Sequence, residues 1–126
     1  MKIRIELTRG PIVARGVTSA DAQNGAVVEF AGVVRGEESG RAIAGLDYEA
    51  YEAMARSEME RIAGELRDMY PCHSLDVAHR IGLVLAGEAS IWVRVEARHR
   101  AEAFGMLAEF MDRLKRDVPI WKKAVS

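Results

Sequence analysis

One cysteine, Cys72, is all the thiol this chain of 126 residues carries. That excludes an intramolecular disulfide framework and a cysteine-rich zinc site, and it suits a reducing compartment. Cys72 follows Pro71 with no evident base nearby, and reads as a half-buried structural thiol. The three histidines, His73, His79 and His99, have no metal-ligand spacing, and no HExxH motif accompanies them. No metal site is expected. Gly36 and Gly40 do not make a phosphate loop. No apolar run approaches the ~18 residues of a membrane span. The opening Met1-Lys2-Ile3-Arg4-Ile5-Glu6 alternates charged and apolar residues, unlike a signal peptide, so the expected address is the cytoplasm. Net charge is -1, which argues for neither nucleic acid nor membrane as partner.

What is present is the mix of an ordinary folded domain, 49% hydrophobic and 29% charged, and residues 1–126 read as one domain. Ile3, Ile5 and Leu7 alternate with polar neighbours as a half-buried strand. Thr18 or Ser19 is positioned to cap a short helical turn before Asn24-Gly25. Ala26 to Val34 reads as an apolar strand, with Gly32 marking a bulge or a close backbone approach. Ile43 to Tyr51 reads as a third strand, joined to the second as a hairpin through the polar loop Arg35–Gly40. Ala55, Met59, Ile62, Leu66 and Met69 recur at helical spacing up to Tyr70-Pro71. Ser74 to Ile81 and Ser90 to Ala97 are two more strands. The second should turn Ile91, Val93, Val95 and Ala97 inward and Trp92, Arg94 and Glu96 outward. Between them Leu83, Val84 and Leu85 are too apolar for a free loop. A last helix spans about His99 to Asp117, with a stripe of Ala103, Met106, Leu107, Phe110, Met111 and Leu114. Met54, Met59, Met69, Met106 and Met111 read as core filler. The sum is an α+β fold, a mainly antiparallel sheet packed against two main helices.

Chemistry concentrates at the end of the chain. Asp112 to Lys123 holds five cations, a proline and a tryptophan, and a turn at Pro119 can bring Lys115 and Lys122 to one pocket. Lys115, on the shoulder of the apolar stripe, reads in two ways. Either it snorkels near a helix C-terminus and pairs with Asp112, or desolvation and the neighbouring Arg113 and Arg116 yield a usable free amine. Lys122 is either a solvated cation or a group tethered by Trp121. Arg98-His99-Arg100 opens the last helix, where outward N–H groups and guanidiniums suit a phosphate; His99 is a cap or a proton carrier. Arg35, at a strand end beside a glycine, is an anion clamp or an ordinary hairpin-end arginine.

Taken together, five ordered segments between residues 25 and 123 resemble the large, catalytic subunit of molybdopterin synthase. They are Gly25–Arg35, Tyr48-Glu49-Ala50-Tyr51 with Met54-Ala55, His79-Arg80-Ile81-Gly82 with Gly87-Glu88, Arg98–Phe104, and Leu114-Lys115 with Pro119–Lys123. The resemblance implies an α/β hammerhead-like fold and a sulfurtransferase that converts cyclic pyranopterin monophosphate to molybdopterin, in molybdenum cofactor biosynthesis. Sulfur would come from the thiocarboxylated C-terminus of a small ubiquitin-like subunit, with no cofactor of the protein's own. Two large subunits would form a central homodimer within a heterotetramer. The resemblance assigns catalysis to Lys115 and Lys122. It assigns substrate binding to Val33, Val34, Arg35, His99, Arg100, Lys115, Lys122, Lys123 and Ala124, with a symmetry mate as a possible source of part of the site. Two departures stand out: the short segment after Lys123, and Val33 where the family commonly has lysine. They leave open a non-catalytic homologue that binds the small subunit or a pterin. An unrelated anion-binding α+β module is the third reading.

Overall fold

A computed structural model describes all of residues 1–126. In chain order the elements are β1 (Lys2–Thr8), β2 (Ala26–Val33), β3 (Glu37–Glu38), β4 (Arg41–Ala42), β5 (Gly45–Ala50), α1 (Glu52–Leu66), β6 (Ser74–Arg80), β7 (Gly82–Leu85), β8 (Ala89–Ala97), α2 (Arg100–Asp117) and β9 (Ile120–Val125). The larger sheet has the order β1-β6-β8-β2. Only β1 and β6 run parallel; β6 with β8 and β8 with β2 are antiparallel. A second sheet, β7-β5-β9, is antiparallel throughout. The α+β reading holds. No helix is long and apolar enough to cross a membrane.

Both helices lie on one face of the large sheet, where apolar periods of two and 3.6 meet. Leu75 and Val77 of β6, Val93 and Val95 of β8, Met59 and Ile62 of α1, and Met106 and Phe110 of α2 are buried in one cluster. Phe110 is fully buried. Met54 and Met69 are exposed, contrary to their reading as core. The reason is the helix phase: α1 ends at Leu66 and buries Ala55, Met59, Ile62, Ala63 and Leu66. Met54 points off that stripe, and Met69 lies in the turn beyond it.

The opposite face of the sheet is also covered. Trp92 and Arg94 were expected to face outward, yet both are buried. The segment after β1 lies over them. Arg94 donates to the Gly16 and Thr18 carbonyls and to Glu29 Oε1 at 2.7 Å. Arg15 donates to Asp76 and stands 6.0 Å over the Trp92 ring. Asp76, Arg94 and Glu29 are register partners across β6, β8 and β2, so their charges alternate along one row. Within the covering segment, Ser19 and Asp21 build a turn and not a helical cap: Asp21 Oδ1 accepts from Gln23 N–H, and the Asp21 carbonyl accepts from Asn24 N–H.

The expected hairpin between β2 and β5 does not form. β2 pairs with β8, with a register shift at Gly32/Val33, where a Cβ on Gly32 would meet Ile91 Cγ2 at 2.7 Å. The polar loop instead makes its own small hairpin, β3 with β4. Ser39 and Gly40 both take positive φ, as a two-residue turn that matches strand twist demands. The chain thereby leaves the large sheet and starts the small one at β5. The apolar connector Leu83–Leu85 is strand β7 of that sheet, with Val84 fully buried against Val34 and Leu46.

Candidate active site

The pocket lies where the two sheets meet the end of α2. The last helical turn is closed by Val118, whose N–H bonds the Leu114 carbonyl while its backbone is extended. A residue before proline is pushed out of the helical region, so the chain reverses at Pro119 and enters β9. This strand pairs with β5, placing Lys122 opposite Tyr48. Lys115 from the helix and Lys122 from the strand therefore line one cavity of about 650 Å³. Val33, Val34 and Arg35, where β2 runs out, form another wall.

Arg35, Lys115 and Lys122 make the pocket cationic, with Glu38 as the only lining carboxylate. Glu38 Oε1 lies 3.7 Å from Lys122 Nζ, and both side chains are partly exposed. Lys115 is exposed at the pocket in a single protomer, as its snorkelling reading has it. The turn at Pro119 joins the two lysines as the spacing suggested.

Four of the candidate residues lie elsewhere. His99 is the N-cap of α2 and makes no side-chain cap bond; Arg100 is the first helical residue. Lys115 comes fifteen positions after Arg100, about 22 Å along the axis at ~1.5 Å per residue. Neither His99 nor Arg100 lines the cavity. His99 Nδ1 lies 3.9 Å from Glu102 Oε2. Lys123 and Ala124 pair with Asp47 and Leu46 along β9 and are also absent from the cavity wall.

Among the lining residues that were not site candidates in the sequence, Glu38 and His79 carry titratable groups of interest. Glu38 sits in a loop whose hairpin nothing in the local pattern marked. His79 left a faint trace, a polar residue continuing the buried Leu75, Val77 row of β6. Burial pushes its imidazole below the ordinary histidine value, while a bond to the Arg80 carbonyl acts the other way. Cys72 is distant from this chemistry. Its thiol donates to the Glu102 carbonyl and is pushed up to about 11, first by burial and then by the Glu102 charge. An inert thiol is what the sequence suggested.

The pocket is thus cationic, with two lysines and no thiol in its wall. The MoaE protein family model matches residues 7–117. The chain belongs to that family. The molybdopterin synthase catalytic subunit of Pyrococcus abyssi is 44% identical over 107 residues, covering 85% of this chain and 72% of the relative. That of Oryza sativa subsp. indica is 45% identical over 105 residues, 83% of this chain, but the chain spans only 54% of the rice protein. Among solved structures, molybdopterin synthase from Staphylococcus aureus superposes with a TM-score of 0.87 at 32% identity, covering 95% of this chain and 89% of that one. A complex of subunits 1 and 2 of molybdopterin-converting factor from Helicobacter pylori gives 0.69 at 29% identity, covering 82% and 71%. This MoaE chain thus shares its fold with both.

Proposed function

We propose that this MoaE chain is the catalytic subunit of a molybdopterin synthase. It converts cyclic pyranopterin monophosphate to molybdopterin with sulfur from the thiocarboxylated C-terminus of a small ubiquitin-like subunit. The observation that carries the reading is the convergence of Arg35, Lys115 and Lys122 on one cavity whose wall contains no cysteine. Three cations attract both anions of the reaction, the phosphate and the thiocarboxylate. The nucleophilic sulfur arrives on the partner, so the chain itself needs no activated thiol. The relatives' names and the two-subunit Helicobacter pylori complex support the same assignment.

Lys115, at the end of a rigid helix, acts at the reacting carbons and the incoming thiocarboxylate, as general acid/base or as a fixed positive charge. Lys122, held by the β5–β9 pairing, neutralises the phosphate or the charge that develops. The helix N-terminus at His99 and Arg100 suits a phosphate but lies too far from Lys115 to serve the same site in one chain. In a two-fold dimer, His99 and Arg100 of a second copy complete it. The synthase is then a central homodimer with a small subunit at each outer site, working in the cytoplasm.

The test is turnover. Purified protein, thiocarboxylated small subunit and cyclic pyranopterin monophosphate should yield dithiolene product. Lys115→Ala should form none while still co-eluting with the small subunit on gel filtration. Undiminished product from that variant sinks the assignment.

A further inference from the structure

The cavity's three cations can only donate hydrogen bonds, and its carboxylate already faces Lys122. A pterin-type ring system also brings ring N–H and amino donors, and each must find an acceptor once it leaves water. Ser90 Oγ, also in the wall, donates to the Gly32 carbonyl. His79 offers a fixed acceptor. It is 5% exposed and continues the row of Leu75 and Val77, since alternate residues of β6 share a face. Its Nδ1 lies 2.8 Å from the Arg80 carbonyl oxygen. That oxygen can only accept, so the proton is on Nδ1 and Nε2 keeps its lone pair. The Tyr48 ring meets the imidazole edge-on at 5.2 Å and 74°, which holds its plane.

Nε2 takes no hydrogen bond from the protein. It is also not among the sealed, partnerless polar atoms, which are Arg80 Nε, Trp92 Nε1 and Glu102 Oε2. Nε2 is therefore not sealed in the core, and His79 is a residue of the cavity wall. A histidine placed only to fill the core would not need one nitrogen tied to the backbone and the other left unsealed.

We propose that His79 reads the heterocycle of the substrate, Nε2 accepting a hydrogen bond from a ring N–H or amino group. This rests on the synthase reading and adds a division of labour. The cations hold the phosphate and the sulfur donor, and His79 selects a ring that carries hydrogen-bond donors. Burial supports the role, because it favours the neutral imidazole that an acceptor requires.

The test uses protein with ¹⁵N-labelled imidazoles and no small subunit. The Nε2 resonance of His79 should begin in the unprotonated position and shift when cyclic pyranopterin monophosphate is added, but not with inorganic phosphate. An unmoved Nε2 at saturating substrate overturns the proposal. In turnover assays, His79→Asn keeps a donor near the Arg80 carbonyl and loses the far acceptor. Its KM should rise about three- to tenfold, the worth of one neutral hydrogen bond, with kcat within about twofold. His79→Gln, which can reach the Nε2 position, should recover part of the loss. Unchanged KM in a folded His79→Asn variant also overturns it. If wild type makes no dithiolene product, the synthase reading fails, while the Nε2 shift still decides the fate of His79.

Discussion

If Arg100 serves a site on the other protomer, two inactive variants should repair one another. Consider Lys115→Ala and Arg100→Ala, purified separately and then mixed at equal concentration under conditions that allow subunit exchange. A single helix, α2 (Arg100–Asp117), carries both residues. Fifteen positions at ~1.5 Å put them about 22 Å apart, well beyond the reach of a lysine and an arginine clamping one small substrate. In a two-fold dimer each site would combine Lys115 of one chain with Arg100 of the other. A mixed dimer then holds one site with both substitutions and one with neither. Random exchange makes about half of all dimers mixed, and half of the sites in those are intact. Activity should therefore rise to about a quarter of wild type, on the two-fold model of exchange. The assay is dithiolene formation with thiocarboxylated small subunit, with native mass spectrometry to verify exchange. A mixture no more active than the average of its components, despite verified exchange, refutes the shared site.

Three further outcomes follow from the packing and electrostatics. Arg94→Ala leaves the part-buried Glu29 without its guanidinium and frees the segment that Arg94 ties down; losing a hydrogen bond to a charged group should cost about 2 kcal/mol in urea unfolding. Amide exchange should accelerate around Gly16 to Thr18 in the same variant, and unchanged exchange there refutes the tie. Cys72, with its thiol pushed up to about 11, should react with iodoacetamide at pH 8 far more slowly than free cysteine, and Cys72→Ser should retain wild-type turnover. The Ser19 and Ser74 hydroxyls and the Arg94 guanidinium hold the Glu96 carboxyl below the usual carboxylate range. A depressed folded value means stability that is present above the unfolded value, near 4.5, and lost as pH falls through the folded one. The Tm difference between wild type and Glu96→Gln should accordingly be present at pH 6 and shrink in acid; a constant difference contradicts the assignment.

Some differences between expectation and structure have identifiable causes. Period two marked which residues of β8 share a face, but not what covers the second face. Trp92 and Arg94 are buried by a polar segment with no apolar period of its own, held through its backbone carbonyls. Pairing partners were equally invisible. Adjacent strands with a short loop between them favour a hairpin, yet positive φ at Ser39 and Gly40 closed a smaller one within the loop. The exclusion of His99 and Arg100 from the Lys115 pocket is different in kind. It was implicit in the length of α2, because a straight helix separates its ends in proportion to its residues.

The amino-acid sequence by itself determined the two helices, the main strands, the inert thiol and the ordered motifs that carry the resemblance. These depend on residue identity and on periods of two and 3.6, which are local. It also determined that Lys115 and Lys122 flank a proline that stops the helix. Tertiary structure alone decided that β5 pairs with β7 and β9 and not with β2, and that Tyr48, Lys122, Glu38 and His79 line one cavity with Lys115. That choice lies in non-local strand pairing and in burial of Val34, Leu46 and Val84 against one another, contacts between residues far apart along the chain that no local pattern encodes.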